Sequence, residues 1–401
     1  MKKLFWLLLF TYSCASQGDT TDTKKSTALY TKDNYTLSVS WNFDESVKAV
    51  VEFGTNKNDL NMFAYDASVS NFSKNGQINL LGVDSGQKYF FRIRGTNVSQ
   101  EVSYTAIDSV ITPTDLPNED YFIFVTMDVS RDGSGISWGD ALFIQTPSGT
   151  NVIVDAGPET SQSNTNIREV LQAYGVTKID YAFITHDHAD HYRGFTSSIF
   201  SSSNFPISEF YYPHNPSDFG GISDLVGTLQ ARGTQTAAAL PGTKNSAGNY
   251  LQWENGDFEA EVVSSGLGRE VGNSSSDVNN DSIVLYVRYK NAEYILTGDF
   301  EVDGQAVVSF PQADVLKVPH HGRLDGTSDK MLNEITPLVG VISTVNDGLF
   351  EPNVLNAYSR HSIDVYRTDK PNPEENSPEC FSNVYSISDG ETIVFSYECI
   401  N

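Results

Sequence analysis

The sequence predicts an α/β domain preceded by a small all-β sandwich, and three observations carry that reading. From Leu37 to Arg94 short segments alternate apolar and polar residues, each bounded by Gly, Asn, Asp or Ser turns, which is the pattern of half-buried strands. After Glu119 the rhythm changes to apolar strands followed by helical segments. Between the two runs Thr112-Pro113-Thr114-Asp115-Leu116-Pro117, rich in chain breakers. The boundaries that follow are a leader at 1–15, a polar tether at 16–29, the sandwich at 30–112, a linker at 113–118 and the α/β domain at 119–401.

The leader reads Met1-Lys2-Lys3 followed by an apolar run over 4–10 that is too short to span a bilayer, which marks an export signal. Cys14 has two readings. It is the acylated residue of a degenerate lipobox, Tyr12-Ser13-Cys14-Ala15, or part of an ordinary small-residue cleavage site. The chain is therefore expected to be exported, as a cell-surface lipoprotein or as a secreted or periplasmic protein, with a membrane contact only through that lipid. In an oxidising compartment Cys380 and Cys399 form a disulfide across the final hairpin, or remain two free thiols. With 51 acidic against 26 basic residues the formal net charge is -25, so the bulk field repels duplex nucleic acid and anionic membrane. A mean hydropathy of -0.31 leaves no room for a membrane bundle.

The sandwich rests on Leu37-Ser38-Val39-Ser40-Trp41, Ala49-Val50-Val51-Glu52-Phe53, Gln77-Ile78-Asn79-Leu80 and Tyr89-Phe90-Phe91-Arg92-Ile93-Arg94. Trp41, Glu52-Phe53-Gly54-Thr55 and the run from Leu81-Gly82-Val83 through Gly86 to Tyr89-Phe90 resemble the fibronectin type III family over residues 30–112. That resemblance implies spacing or adhesion rather than chemistry.

In the α/β part, strands are expected at 121–127, 141–146 and 151–155, a helix at 166–174 ended by Gly175, and a buried strand at 179–185. The last delivers the chain to His186-Asp187-His188-Ala189-Asp190-His191. In an extended segment residues two apart point the same way, so His186 and His188 can converge on one ion. Asp190 and His191 open the next helix, face elsewhere, and suit a second ion nearby. Two divalent ions about 3.5 to 4 Å apart lower the pKa of a shared water enough to make a nucleophile at neutral pH.

Two further apolar strands end in metal-ligand residues. Tyr294-Ile295-Leu296-Thr297-Gly298 ends in Asp299, the residue type that bridges two ions, and Val315-Leu316-Lys317-Val318-Pro319 ends in His320-His321-Gly322. One edge of a β-core thus collects the donors. The set is nitrogen and oxygen only, suited to one or two zinc ions or to manganese. Lys317 and Arg323 are candidate phosphate partners, with solvent as the equal alternative for Lys317. His361 in Tyr358-Ser359-Arg360-His361-Ser362 reads as a surface histidine, and Gly220-Gly221 opens a helix without a phosphate-loop lysine. The Ser/Asn run over 273–280 reads as a loop beside the site.

The ordered series Ser134-Gly135-Ile136-Ser137-Trp138-Gly139-Asp140-Ala141, Val154-Asp155-Ala156-Gly157, the hexad, Asn280-Asp281-Ser282-Ile283-Val284-Leu285, Leu296-Thr297-Gly298-Asp299 and Leu316 to Gly322 resembles the metallo-β-lactamase superfamily, specifically the hydrolase domain of ComEC-type competence proteins. The likeness spans about residues 120 to 398 and includes Val365-Tyr366-Arg367-Thr368-Asp369. It implies an αββα sandwich with a metal site at one edge, His186 and His188 in one half, Asp190 and His191 in the other, Asp299 bridging, and one of His320 and His321 as the last ligand. Asp155 then steadies the hexad loop. Three departures stand out: the intermediate His of many members has only His214 as a candidate, read as a rim or surface residue in reach of substrate; Arg323 replaces a small hydroxyl residue; and Phe350-Glu351-Pro352 stands where a His is common.

The function expected is a metal-dependent hydrolase acting on a small or short phosphodiester. The alternatives are ester, lactone or lactam hydrolysis on the same centre, and a surface binding or adhesion protein with a structural metal. Asp190 and Asp299 argue against the last, because closed structural zinc sites favour Cys and His.

Overall fold

The computed structural model describes residues 25–31, 36–67, 72–116, 120–129, 139–242, 251–253, 258–271, 278–344, 352–369 and 382–397. The leader, Cys14, Cys380, Cys399, Ser134 to Trp138, Phe350-Glu351 and most of the Ser/Asn run lie outside the described residues. Two compact units emerge, Met1–Glu119 with Thr392–Val394, and Asp120–Glu391 with Phe395–Asn401.

In the first unit the described elements are strands: β1 (Lys25–Thr31), β2 (Thr36–Gly54), β3 (Met62–Asp66), β4 (Ser73–Asn79), β5 (Lys88–Asn97), β6 (Val102–Tyr104) and β7 (Asp108–Ile111). The 19-residue β2 pairs antiparallel with β1, β3, β4 and β5, and β5 carries β6 and β7. Alternation sets the faces. In β5 Tyr89, Phe91 and Ile93 are buried, whereas Arg92 and Arg94 project on the other side to Glu52, at 2.7 and 3.0 Å.

The second unit runs β8 (Phe122–Thr126), β9 (Ala141–Gln145), β10 (Asn151–Ala156), α1 (Ser161–Ala173), β11 (Ile179–Phe183), α2 (Ala189–Thr196), β12 (Ile207–Pro213), α3 (Gly220–Ala231) and β13 (Gln235–Ala239). Its second half is β14 (Leu251–Trp253), β15 (Phe258–Ser264), α4 (Gly268–Val271), β16 (Val284–Tyr289), β17 (Ala292–Leu296), α5 (Val302–Val307), β18 (Val315–Lys317), α6 (Asp329–Ile335), β19 (Val339–Ile342), α7 (Pro352–Arg360), β20 (Asp364–Arg367) and β21 (Val384–Ser388). One sheet is ordered β13-β12-β11-β10-β9-β8-β21, the other β14-β15-β16-β17-β18-β19-β20.

Side-chain alternation builds four layers. On the outer face of the first sheet Val125, Phe143 and Ile153 pack with Ile167, Val170 and Leu171 of α1, Phe195 of α2, and Ile222, Leu225 and Leu229 of α3. On the outer face of the second, Ile295, Leu316 and Ile342 pack with Met331, Leu332 and Ile335 of α6 and with Val354 and Tyr358 of α7. Between the sheets the opposite faces meet through Phe122 and Phe124 against Tyr294, at 5.2 and 5.3 Å between ring centroids. This is an αββα sandwich.

The helix read at 166–174 begins five residues earlier, at Ser161. Its first turn is polar and carries no apolar period, but Thr160 caps it by accepting the Ser163 N–H at 3.1 Å.

Candidate metal centre

The strand β11 ends at Phe183, and Thr185, His186 and His188 follow in the loop that leads into α2. Helix α2 lies hard against the end of β10. A Cβ at Gly194 would meet the Ala156 carbonyl oxygen at 1.8 Å, and the Gly194 N–H donates to Gly157 O at 2.8 Å. Because α2 carries Asp190 and His191, we expect Gly194→Ala to destabilise the unit by about 2 kcal/mol or more and to weaken metal binding with it. Thermal melting checks this, and an unchanged melting temperature would count against the contact.

Asp155 sits where β10 shifts register against β9, at a φ of 58°, and the irregularity turns its carboxylate toward the hexad loop. Its Oδ1 accepts the Thr185 N–H at 2.8 Å, and its Oδ2 accepts Thr185 Oγ1 and His191 Nδ1, both at 2.8 Å. With Nδ1 occupied, His191 presents Nε2 to the site. His186 is held in the same way, its Nδ1 3.1 Å from Thr185 Oγ1 and 3.5 Å from Ser282 Oγ. Its Nε2 is 2.9 Å from His188 Nδ1.

Asp299 follows Gly298, which has a φ of 52° and would bring a Cβ within 2.7 Å of Thr185. Only glycine lets β17 deliver the aspartate this close to the hexad loop. Asp299 Oδ2 lies 3.4 Å from His191 Nε2, 3.4 Å from His321 Nε2 and 3.8 Å from His186 Nε2. Asp190 Oδ2 is 3.5 Å from His321 Nε2 and 3.9 Å from His191 Nε2. A tetrahedral ion with bonds near 2.0–2.1 Å has ligand-to-ligand edges of about 3.3 Å, so Asp190, His191, His321 and Asp299 are spaced to surround one. His186 joins His191 and Asp299 in a second donor group, its ring 4.2 Å from that of His191, while His188 belongs to no donor group among the described residues and reaches the centre only through His186 Nε2, at 2.9 Å.

The side chains fit a divalent cation on a second count. His191 Nε2 and Asp299 Oδ1 are buried without a hydrogen-bond partner, an arrangement that needs a ligand to justify it. The electrostatics agree. Burial pushes the His186 imidazole well below its ordinary range, with the charge of His191 adding to the effect. Burial works against charge on His191 and His321 too, but is outweighed: Asp299, Asp155 and Asp190 hold His191 well above its range, and Asp299 and Asp140 hold His321 up to about 10. Burial likewise opposes ionisation of Asp299, yet His321 and His191 keep it well below the usual carboxylate range. The carboxylates and imidazoles are thus mutually stabilising, and a divalent cation bound among them would compensate the same carboxylate charge.

Of the two adjacent histidines it is His321 whose Nε2 joins the cluster, while its Nδ1 donates to the Ser343 carbonyl at 3.1 Å. His320 turns toward Asp325, Nδ1 to Oδ1 2.8 Å, and toward Glu301 at 3.5 Å, with its Nε2 3.9 Å from Asp299. Both have φ near +50°, and what separates them is the partner of Nδ1: Ser343 for His321, Asp325 for His320.

Lys317 as a substrate cation needs correcting. It is fully buried and donates to Asp140 Oδ2 at 2.7 Å. Alternation along β18 explains this: Leu316 points out to the helices, so Val315 and Lys317 point into the layer between the sheets. Arg323 is 43% exposed at the rim, its Nε 4.0 Å from Asp325. His214 is exposed, anchored by its N–H to Ser265 Oγ at 3.0 Å, and belongs to none of the donor clusters among the described residues. His361 lies at the surface 3.4 Å from Asp329.

Sequence reasoning passed over Asp187 and Asp140. Asp187 accepts the Gly221 and Ile222 N–H groups at 3.0 and 3.1 Å and so ties the hexad loop to the start of α3, and burial pushes its carboxyl up to about 6. The signal was a carboxylate between two ligand histidines that metal binding does not use.

Residues 139–199 match the family model of the Metallo-beta-lactamase superfamily. Over 283 residues the chain is 28% identical to ComE operon protein 3 of Bacillus subtilis (strain 168), covering 62% of this chain and 34% of that protein. The chain therefore spans about a third of the length of this curated relative. Among solved structures, a metallo-β-lactamase of Cronobacter sakazakii with a HARLDQ motif is 15% identical, with a TM-score of 0.30 over 45% of this chain and 71% of that one. A long-form RNase Z from yeast is 10% identical, with a TM-score of 0.31 over 79% of this chain and 51% of that one. No helix among the described residues is long and apolar enough to cross a membrane. The family match falls on the hexad and its flanking strands, and over that stretch the chain is similar to the metallo-β-lactamase superfamily.

Proposed function

We propose that this chain is an exported metal-dependent hydrolase that cleaves a phosphodiester bond in a small or short substrate, with zinc as the preferred ion and manganese as the substitute. The observation that carries the reading is the single carboxylate of Asp299 within 3.4 to 3.8 Å of His186, His191 and His321, whose donors fall into overlapping groups with Asp190. Divalent ions held there would supply a water acidified to near neutral pH and an electrophile for the scissile group. The chain's own part is to fix the donors. Asp155 holds His191, Thr185 and Ser282 hold His186, and Ser343 holds His321.

Arg323 at the rim favours an anionic substrate, and the net charge of -25 favours a short one over duplex nucleic acid. The first unit, with its fibronectin-like pattern, we read as a spacer, and Cys14 as the site of a lipid anchor. One observation favours a second reading, an ester, lactone or lactam: burial of Lys317 removes one of the two cations that a phosphate would use.

The test is a panel of phosphodiester, phosphomonoester, ester, lactone and β-lactam reporters under zinc and under manganese. Phosphodiester turnover is expected to lead. Tenfold better turnover of a lactone or lactam than of every phosphodiester overturns the substrate and leaves the metallohydrolase standing. Less than half an ion per chain after metal supplementation overturns the metallohydrolase itself.

A further inference from the structure

We infer that the buried Asp140–Lys317 ion pair is a positioning device for His321, which sets its imidazole to bind metal through Nε2; the inference rests on the metal-centre reading above. Asp140 immediately precedes β9 in one sheet and Lys317 ends β18 in the other, 177 residues apart in sequence, so the pair bridges the two sheets at the edge where the donors gather. Asp140 is 1% exposed and Lys317 not at all. Lys317 Nζ gives one hydrogen bond to Asp140 Oδ2 at 2.7 Å and one to Val318 O at 3.1 Å.

The other oxygen of Asp140 is the informative one. Oδ1 is buried without a hydrogen-bond partner and lies 3.6 Å from His321 Nδ1, on the ring edge opposite the nitrogen that faces Asp190 and Asp299. A carboxylate there, together with the Ser343 carbonyl at 3.1 Å, favours the tautomer with its proton on Nδ1 and leaves the Nε2 lone pair for an ion. Asp140 is also within ligand spacing of Asp155 with His191 and of Asp299 with His321. An uncompensated anion so placed would compete for the site. Lys317 neutralises it and fixes where it points.

Stability alone does not explain the pair. A buried ion pair is commonly no more stable than a hydrophobic pair of the same volume. A role in orienting a ligand accounts for two charges buried where the two sheets meet.

The experiment uses the full mature chain and measures zinc stoichiometry and affinity by competition with a chromophoric chelator, the visible spectrum of the cobalt-substituted protein, and the melting temperature without metal. The double variant Asp140→Leu/Lys317→Met removes both charges and is expected to keep the metal-free melting temperature. It should bind the ion held by His321 about 10- to 100-fold more weakly, with the cobalt spectrum altered and the other ion retained. The isosteric Asp140→Asn turns an amide donor toward His321 Nδ1, and about tenfold or greater loss is expected; this variant decides the matter if the double variant is insoluble. Wild-type affinity for both ions with an unaltered cobalt spectrum, in either folded variant, overturns the inference. Failure of the wild-type chain to bind zinc would instead overturn the metal-centre reading.

Discussion

Asp299→Ala is expected to empty both halves of the centre and to lower kcat/KM by about a thousandfold or more. No other carboxylate among the described residues reaches so many imidazole donors. Its Oδ2 is 3.4 Å from both His191 Nε2 and His321 Nε2 and 3.8 Å from His186 Nε2, so the substitution removes a donor shared by all three imidazoles. The fold is expected to persist. Asp299 lies beyond the end of β17, its N–H bonds to Ser282 Oγ at 3.2 Å whatever its side chain, and the sandwich core does not include it. Elemental analysis of the purified variant, turnover of the best reporter and circular dichroism together check the result. A variant with native dichroism and wild-type metal content would remove Asp299 from the centre.

What could be read from the sequence followed from local rules. The hexad is contiguous and sits at the end of an apolar strand, so local rules were enough to bring its four donors to one loop, but two-residue alternation paired His186 with His188 and missed that His186 packs against His191, 4.2 Å between ring centroids. Asp299 was visible because it too follows an apolar strand. The four-layer order came from the family resemblance rather than from periodicity, and the start of α1 was missed because a cap by Thr160, not an apolar period, sets it. The positions that escaped depend on groups distant in sequence. The partner of Lys317 is Asp140, 177 residues away on another sheet, and no local pattern signals that meeting. Alternation along β18 would have turned Lys317 inward had Leu316 been recognised as the helix-facing residue. The choice between His320 and His321 could not come from alternation at all, since both are left-handed, with φ of 49° and 51°.

That last pair supplies the second large effect. His321→Ala is expected to lose one of two ions and about a hundredfold or more in kcat/KM, whereas His320→Ala is expected to keep the full metal content with at most about a tenfold change. The difference follows from where each ring is tethered. His321 donates backward to Ser343 and presents Nε2 between Asp190 and Asp299, at 3.5 and 3.4 Å. His320 spends Nδ1 on Asp325 at 2.8 Å, leaving Nε2 3.9 Å from Asp299, the longest of that carboxylate's imidazole approaches. Metal content separates the two roles more cleanly than activity, because a rim residue can slow turnover without touching an ion. Side-by-side elemental analysis of the two variants is therefore the deciding measurement. An ion lost from His320→Ala and retained in His321→Ala would reverse the assignment, and with it the orientation on which the role of Asp140 and Lys317 depends.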